Sequence, residues 1–295
     1  DLQSLVNVLE DYVQGSAAKH AEIVSIPGPL APPALPPQQR AGPSARRVLR
    51  PLVESYGISG HESAVRETIV RLLPDWAKVE IDTAGNLIAR MSAQAHAQFG
   101  TVRVTKEKSP RIVFIAHMDE IGYVVRAIAA DGRLEVQTRG GGIVEFFAGH
   151  PIFVHTAEGI RPGVMELPQG WDQPNFEWPR GPQAALRVDV GARNADEVQQ
   201  LGIKVGDWLT VPKKYRPLLG TRASARSFDD RAGCAALVAA AWMMGAGTRG
   251  APGSQPKSLR EVLTRDVLLV WSTEEEVGLR GARAEPRLFA GVRDR

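Results

Sequence analysis

Apolar and polar positions along this chain follow a helical period, then a strand period, then a helical one again. Val65, Ile69 and Leu72 recur at helical spacing in "SGHESAVRETIVRLL", which predicts an amphipathic helix. Ser59 and Glu62 ahead of it have capping-box spacing, in which each side chain satisfies a free N–H of the first turn. Upstream, "VLRPLVESYG" is a helical stretch that Pro51 is expected to interrupt. "AKVEIDTAGNLIARM" reads as two short strands around a Gly-Asn turn, and "IVFIA" as a buried strand running into His117.

After His117 the period becomes two. "YVVRAIAADGRLEVQTRGGG" predicts a hairpin turning at Asp131-Gly132, with "RGGG" (139–142) as a flexible turn. Three more strand-like segments follow, broken by one short helical stretch, "NADEVQQLG". The helical pattern then returns. "DDRAGCAALVAAAWMM" is apolar nearly all round and predicts a buried helix, residues 248–260 a loop, and "DVLLVWSTEEE" a buried strand ending in acids. The expected organisation is an amino-terminal helix (2–13) and Pro-rich linker within 1–45, an α/β domain in two parts (46–124 and 217–295), and a β-rich insert at 125–216.

Composition narrows the function. The chain has 295 residues, 43% apolar and 23% charged, enough to bury a sizeable core. A net charge of +3 is too near balance to argue for nucleic acid. Cys234 is the single cysteine, so a disulfide framework and a Cys-rich zinc site are excluded. Cys234, Tyr123 and Trp271 read as packing residues. No apolar run approaches the roughly 18 residues of a membrane span. No signal-peptide core is present, and the cytoplasm is the expected location, with export left open.

Three acid-rich ends then stand out: "AHMDE", "SFDDRAG" and "STEEEVG", each beside a buried apolar element. In open α/β sheets ligands gather outside the carboxyl ends of strands. Convergence of His117, Asp229, Asp230, Glu275 and Glu276 there would concentrate negative charge, which repels and takes up protons unless a cation offsets it. Histidine and carboxylates without thiolates suit zinc, cobalt or manganese in a hydrolytic site.

"SGHESAVRETI", "DTAGNLIAR", "IAHMDEIGYVV", "VDVGA", "SFDDRAGCAAL" and "EEEVGLRGA", in that order, resemble the M42 family of co-catalytic metallo-aminopeptidases. The resemblance implies an α/β catalytic domain of the co-catalytic zinc-peptidase type with a small inserted β-barrel-like domain. It implies two divalent metal ions, zinc or cobalt, with His117, Asp229 and Glu276 as metal ligands. Asp119 would orient His117 and Glu275 would serve as general base, with hydrolysis through a metal-bridging water. It further implies a cis peptide at Asp229–Asp230, peptide substrates with a free amino terminus, and a homo-oligomer, commonly of twelve subunits. No nucleic-acid or membrane partner is expected. Glu274 stands where the family more often has Gln, and the expectation is that its charge bears on Glu275. Two further family ligands are expected beyond Arg295. These 295 residues alone are therefore expected to be inactive, with the "DVLLVWS" strand and the "AALVAAAWMM" helix partly uncovered. A metallo-deacylase or carboxypeptidase of the same clan and a non-catalytic assembly protein of the same fold are the alternatives, with His150 and His155 as substitute ligands if the assignment fails.

Overall fold

A computed structural model of the chain describes residues 43–91, 111–141, 146–178, 186–245, 247–248, 257–258 and 266–284. The expected helix at 2–13, most of the Pro-rich linker and the segment after 284 lie outside these residues.

Two helices open the described chain, α1 (Ala45–Glu54) and α2 (Ser63–Leu72). The expected break at Pro51 does not occur. Pro51 lies inside α1, whose Val48, Leu52 and Val53 are fully buried. Burial of those side chains offsets the backbone bond that proline cannot make. The capping box does not form either. Glu62 occupies the N-cap of α2 without a side-chain cap bond, and Ser59 and Glu62 turn to other partners described below.

Four strands form a sheet in the order β1 (Val79–Ile81), β2 (Leu87–Met91), β14 (Asp266–Ser272), β3 (Arg111–His117). β14 is antiparallel to β2 and parallel to β3. Successive side chains of a strand point to opposite faces. Val267, Leu269 and Trp271 therefore join the main core, beneath Val48 and Leu52 of α1, Val65 and Ile69 of α2, and Val238 and Ala241 of α4 (Phe228–Gly245). Leu268 and Val270 pack with Ile88 on the other face. The expectation of a partly uncovered "DVLLVWS" is thus corrected: from Val267 onward every residue of β14 is buried, because it lies between two strands and carries apolar side chains on both faces.

The remaining strands close into a barrel in the order β4 (Gly122–Ile128), β5 (Leu134–Arg139), β8 (Leu186–Asp189), β7 (Gly159–Met165), β6 (Pro151–Thr156), β9 (Trp208–Thr210). Closure leaves no unpaired strand edge. Its interior holds Val125, Leu134, Val136, Ile152, Val154, Met165, Val188 and Leu209, joined by Tyr123 and by Val198 of α3 (Ala195–Gln200). Asn194 caps α3 by accepting from the Glu197 N–H. β10 (Arg216–Pro217) and β11 (Ala223–Ser224) form a small hairpin between the barrel and α4. Residues 248–260, read as a loop, carry part of a two-residue pairing of β12 (Gly247–Thr248) with β13 (Lys257–Ser258). A short helix, α5 (Arg280–Ala284), ends the described residues. The fold is mixed α/β with a small closed barrel inserted between β3 and α4.

Candidate metal centre

Register brings the two acid-rich strand ends together. Parallel pairing of β3 and β14 sets Ser272 opposite His117, and the Met118 N–H donates to Ser272 O at 2.7 Å. The residues just past β14 are therefore beside His117. The third cluster arrives from α4, whose first turn lies against the same strand ends: Asp230 Oδ2 accepts from the His117 N–H at 3.2 Å, and Cys234 Sγ lies 3.1 Å from His117 O.

His117 Nε2 lies 3.1 Å from Asp229 Oδ1 and 3.7 Å from Glu275 Oε2. Donor atoms of His117, Glu275 and Glu276 all fall within 4.8 Å of one another, the one such group of three among the described residues. Asp230 is not among these donors; its Oδ1 accepts the Gly233 N–H at 2.9 Å, and since Asp229 and Asp230 are non-helical in φ and ψ it caps the regular part of α4 that follows. The Asp229–Asp230 peptide is cis.

The other imidazole nitrogen, Nδ1, lies 3.4 Å from Asp119 Oδ1 and 3.2 Å from Asp119 O. Asp119 is fully buried and accepts from Ser59 Oγ (2.6 Å), Glu275 N (3.0 Å) and Glu276 N (3.1 Å). One carboxylate thus orients the histidine and anchors the backbone of both glutamates. Burial works against its charge, but bonds from His117, Ser59 and the two N–H groups hold its pKa below the usual carboxylate value. Burial also opposes a charged His117; the Asp119 bond, with the Asp230 and Glu275 charges, nevertheless lifts the imidazole to about 9. Glu276 is pushed up, first by burial and then by Asp229, Asp119 and Glu275. Crowded carboxylates on one imidazole form an anionic group that a divalent cation would stabilise.

Several supporting residues escaped the sequence reading. Glu62, read as a helix cap, accepts from Gly60 N (2.9 Å) and Glu274 N (3.0 Å) and so holds the strand end that bears the acids. Asn86, read as a turn residue, is fully buried; its Nδ2 donates to Asp82 Oδ2 (2.7 Å) and Gly281 O (2.9 Å), and its Oδ1 accepts from Thr273 N (3.0 Å). "RGGG" is more than a turn. Arg139 ends β5 and donates to Ser59 O, and Gly140, at φ 91°, lies so close to the site that a Cβ would come 3.1 Å from Glu276 Cβ. Glu274 is turned toward Arg280 (3.0 Å) and Arg139 (3.8 Å), so its charge is paired instead of facing Glu275 unopposed. His155 is committed to Thr210 (2.8 Å) and is stacked on Trp208 at 3.6 Å.

Beside the centre lies a second charged group. Glu120 is 1% exposed and meets Lys213 (2.6 Å), Arg226 and Arg231 (3.4 Å). Burial opposes its charge, but the three cations hold its pKa at about 2.

A mixed α/β layer with an inserted closed barrel and a histidine–carboxylate group at the strand ends defines the architecture of the co-catalytic zinc peptidases. The model of the M42 glutamyl aminopeptidase family matches residues 100–289, and the chain belongs to that family. It is 30% identical over 245 residues to a lysyl aminopeptidase of Pyrococcus furiosus, covering 80% of this chain and 61% of that protein. It is 27% identical over 247 residues to a glutamyl aminopeptidase of Lactococcus lactis, covering 82% and 62%. Among solved structures it resembles an aminopeptidase of Desulfurococcus kamchatkensis (TM-score 0.65, 28% identity, 82% of this chain and 59% of that one). It also resembles the TET1 peptidase of Pyrococcus horikoshii, described as assembling into a tetrahedron or a large octahedral shell (TM-score 0.64, 29% identity, 82% and 64%). The chain therefore spans about three fifths of the length of these relatives. No helix among the described residues is long and apolar enough to cross a membrane.

Proposed function

We propose that these residues belong to a metal-dependent aminopeptidase that removes amino-terminal residues from peptides. The observation that carries this reading is the meeting of His117, Asp229, Glu275 and Glu276 at the carboxyl ends of β3 and β14 in a chain of this family. One imidazole and several carboxylates, with no thiolate, fit zinc or cobalt. His117, Asp229 and Glu276 would hold two such ions, Asp229 being shared. When bound, the ions supply Lewis acidity at the scissile carbonyl.

The chain's own residues do the rest. Asp119 fixes the ring of His117 so that Nε2 faces the site, an arrangement that typically tunes a histidine ligand. Glu275, its N–H anchored by Asp119, takes a proton from the attacking water and returns it to the leaving amine. Asp119 anchors the N–H groups of both glutamates, and their side-chain donor atoms lie within 4.8 Å of each other and of His117, so Glu275 can face the water while its neighbour Glu276 binds metal. The α-ammonium of a peptide suits the surrounding carboxylates, which favours substrates with a free amino terminus.

The activity is proposed for the protein at its relatives' length. The 295-residue chain has Asp229 with His117 for one ion and Asp229 with Glu276 for the other, against the three protein ligands typical of catalytic zinc. By itself it is expected to bind zinc weakly and not to turn over. The self-assembly described for the Pyrococcus horikoshii peptidase supports a homo-oligomer here, a dodecamer being the expected form. A panel of aminoacyl-anilides, assayed on the longer protein after chelation and on return of zinc or cobalt, tests the reading. Activity should vanish and return. Turnover indifferent to chelation would refute the metal requirement, and equal cleavage of amino-terminally blocked peptides would refute the exopeptidase assignment.

A further inference from the structure

Asp229 is the least supported member of the centre. Its side chain is 85% exposed, and its one polar contact among the described residues is His117. Its place must therefore be set by the backbone on either side. Downstream, Asp230 is tied to Gly233 and to the His117 N–H. Upstream, Ser227 stands at φ 68°, in the left-handed region that side-chain-bearing residues seldom adopt. Ser227 Oγ donates to Glu120 Oε2 at 2.6 Å.

Glu120 is itself held at both carboxylate oxygens. Its Oε1 accepts from Lys213 Nζ (2.6 Å), Gly57 N (3.1 Å) and Arg231 Nη2 (3.4 Å), and its Oε2 also accepts from Arg226 Nη2. The Glu120 N–H donates to Gly57 O at 3.1 Å, and Glu120 bridges to Ile58. One buried carboxylate thus joins the segment after α1, the exit of the barrel at Lys213, and the approach to α4.

We propose that Glu120 is a positioning residue that holds Ser227 in its left-handed conformation and thereby sets where Asp229 meets His117. The inference rests on the reading of Asp229 as part of the site. Neither Glu120 nor Ser227 touches the donor group of His117, Glu275 and Glu276; both act through two residues of backbone.

The test uses the full chain with ¹⁵N-labelled histidine. The His117 imidazole resonance, assigned by its loss in His117→Gln, reports the Asp229 contact without any metal, and Asp229→Ala defines the shift when that contact is lost. Ser227→Ala removes the hydroxyl but leaves the four charges in place. It should move the His117 resonance toward the Asp229→Ala position. Ser227→Gly, which adopts positive φ freely, should recover at least half of that movement. Lys213→Met weakens the same charged group without touching Ser227 and should leave the resonance unmoved even where it lowers the unfolding temperature. Cobalt titration gives a second readout: groups that orient ligands typically matter 10–100-fold in metal affinity, and Ser227→Ala should weaken binding about tenfold. A folded Ser227→Ala chain with an unmoved His117 resonance overturns the proposal, as does Lys213→Met moving it equally. If the protein at its relatives' length binds no cobalt at any concentration, the metal reading of the site fails, while the imidazole measurement on the 295 residues still decides the positioning role.

Discussion

Replacing Asn86 by alanine should destabilise the protein by about 3–5 kcal/mol. The figure follows from what the amide does. Oδ1 accepts from the Thr273 N–H, and Nδ2 donates to Gly281 O and Asp82 Oδ2. Asn86 is fully buried, and the space around it is closed: a Cβ on Gly281 would come 2.4 Å from Asn86 Oδ1. Truncation leaves the Thr273 N–H and the Gly281 carbonyl without their amide partner. Each orphaned buried group costs about 1–3 kcal/mol, and the lost charge-assisted bond to Asp82 adds to this. Thr273 begins the turn that carries Glu274, Glu275 and Glu276, so the loss should also weaken metal binding. Denaturant unfolding of Asn86→Ala and Asn86→Asp measures the effect. The aspartate keeps the acceptor but sets a carboxylate against Asp82 and Gly281 O, so it should do no better than alanine. An alanine variant within 1 kcal/mol of the parent, or an aspartate variant equal to it, would refute the reasoning.

Under the proposed mechanism, Glu275→Gln in the longer protein should retain metal and lose roughly 10²–10⁴-fold in turnover, whereas Glu276→Gln should also lose metal; metal analysis beside kinetics separates them, and equal metal loss in both would reverse the roles. Glu120→Gln should cost about 3–5 kcal/mol at neutral pH, because Arg226 and Arg231 stay charged beside a neutral amide while Lys213, whose pKa burial already lowers to about 7, loses its counter-charge. A folded pKa of about 2 lies below the ordinary 4.5, so this stabilisation is present above pH 4.5 and is lost as pH falls through 2; unfolding curves of parent and variant should converge there, and a gap unchanged from pH 7 to pH 2 would contradict the cause assigned. Leu134→Ala, in the fully buried barrel interior, should cost about 2–5 kcal/mol, measured by denaturant unfolding; a loss below 1 kcal/mol would show that the barrel interior is not closely packed.

What the sequence determined by itself was local. Alternation in "YVVRAIAADGRLEVQTR" marks β4 and β5 because a strand with one buried face must repeat every two residues. The unbroken apolar run of "DVLLVWS" marks β14 because a central strand is buried on both faces. His117, Asp229, Glu275 and Glu276 were legible as candidates because three acid clusters occur in order, each beside an apolar element, although each cluster alone reads as a helix cap, a charge run or a local pair. Distance between elements is not written in local spacing. Ser59 and Glu62 satisfy the arithmetic of a capping box, yet their oxygens reach Asp119 and the backbone of Glu274, groups 60 and 212 residues away along the chain. Pro51 breaks an isolated helix, but packing of α1 in the core outweighs one missing bond. What Asn86, Glu120 and Ser227 hold is not legible, because a buried polar group is defined by its partners, and those partners meet only once β14 pairs with β3, the barrel closes, and α4 seats against the strand ends.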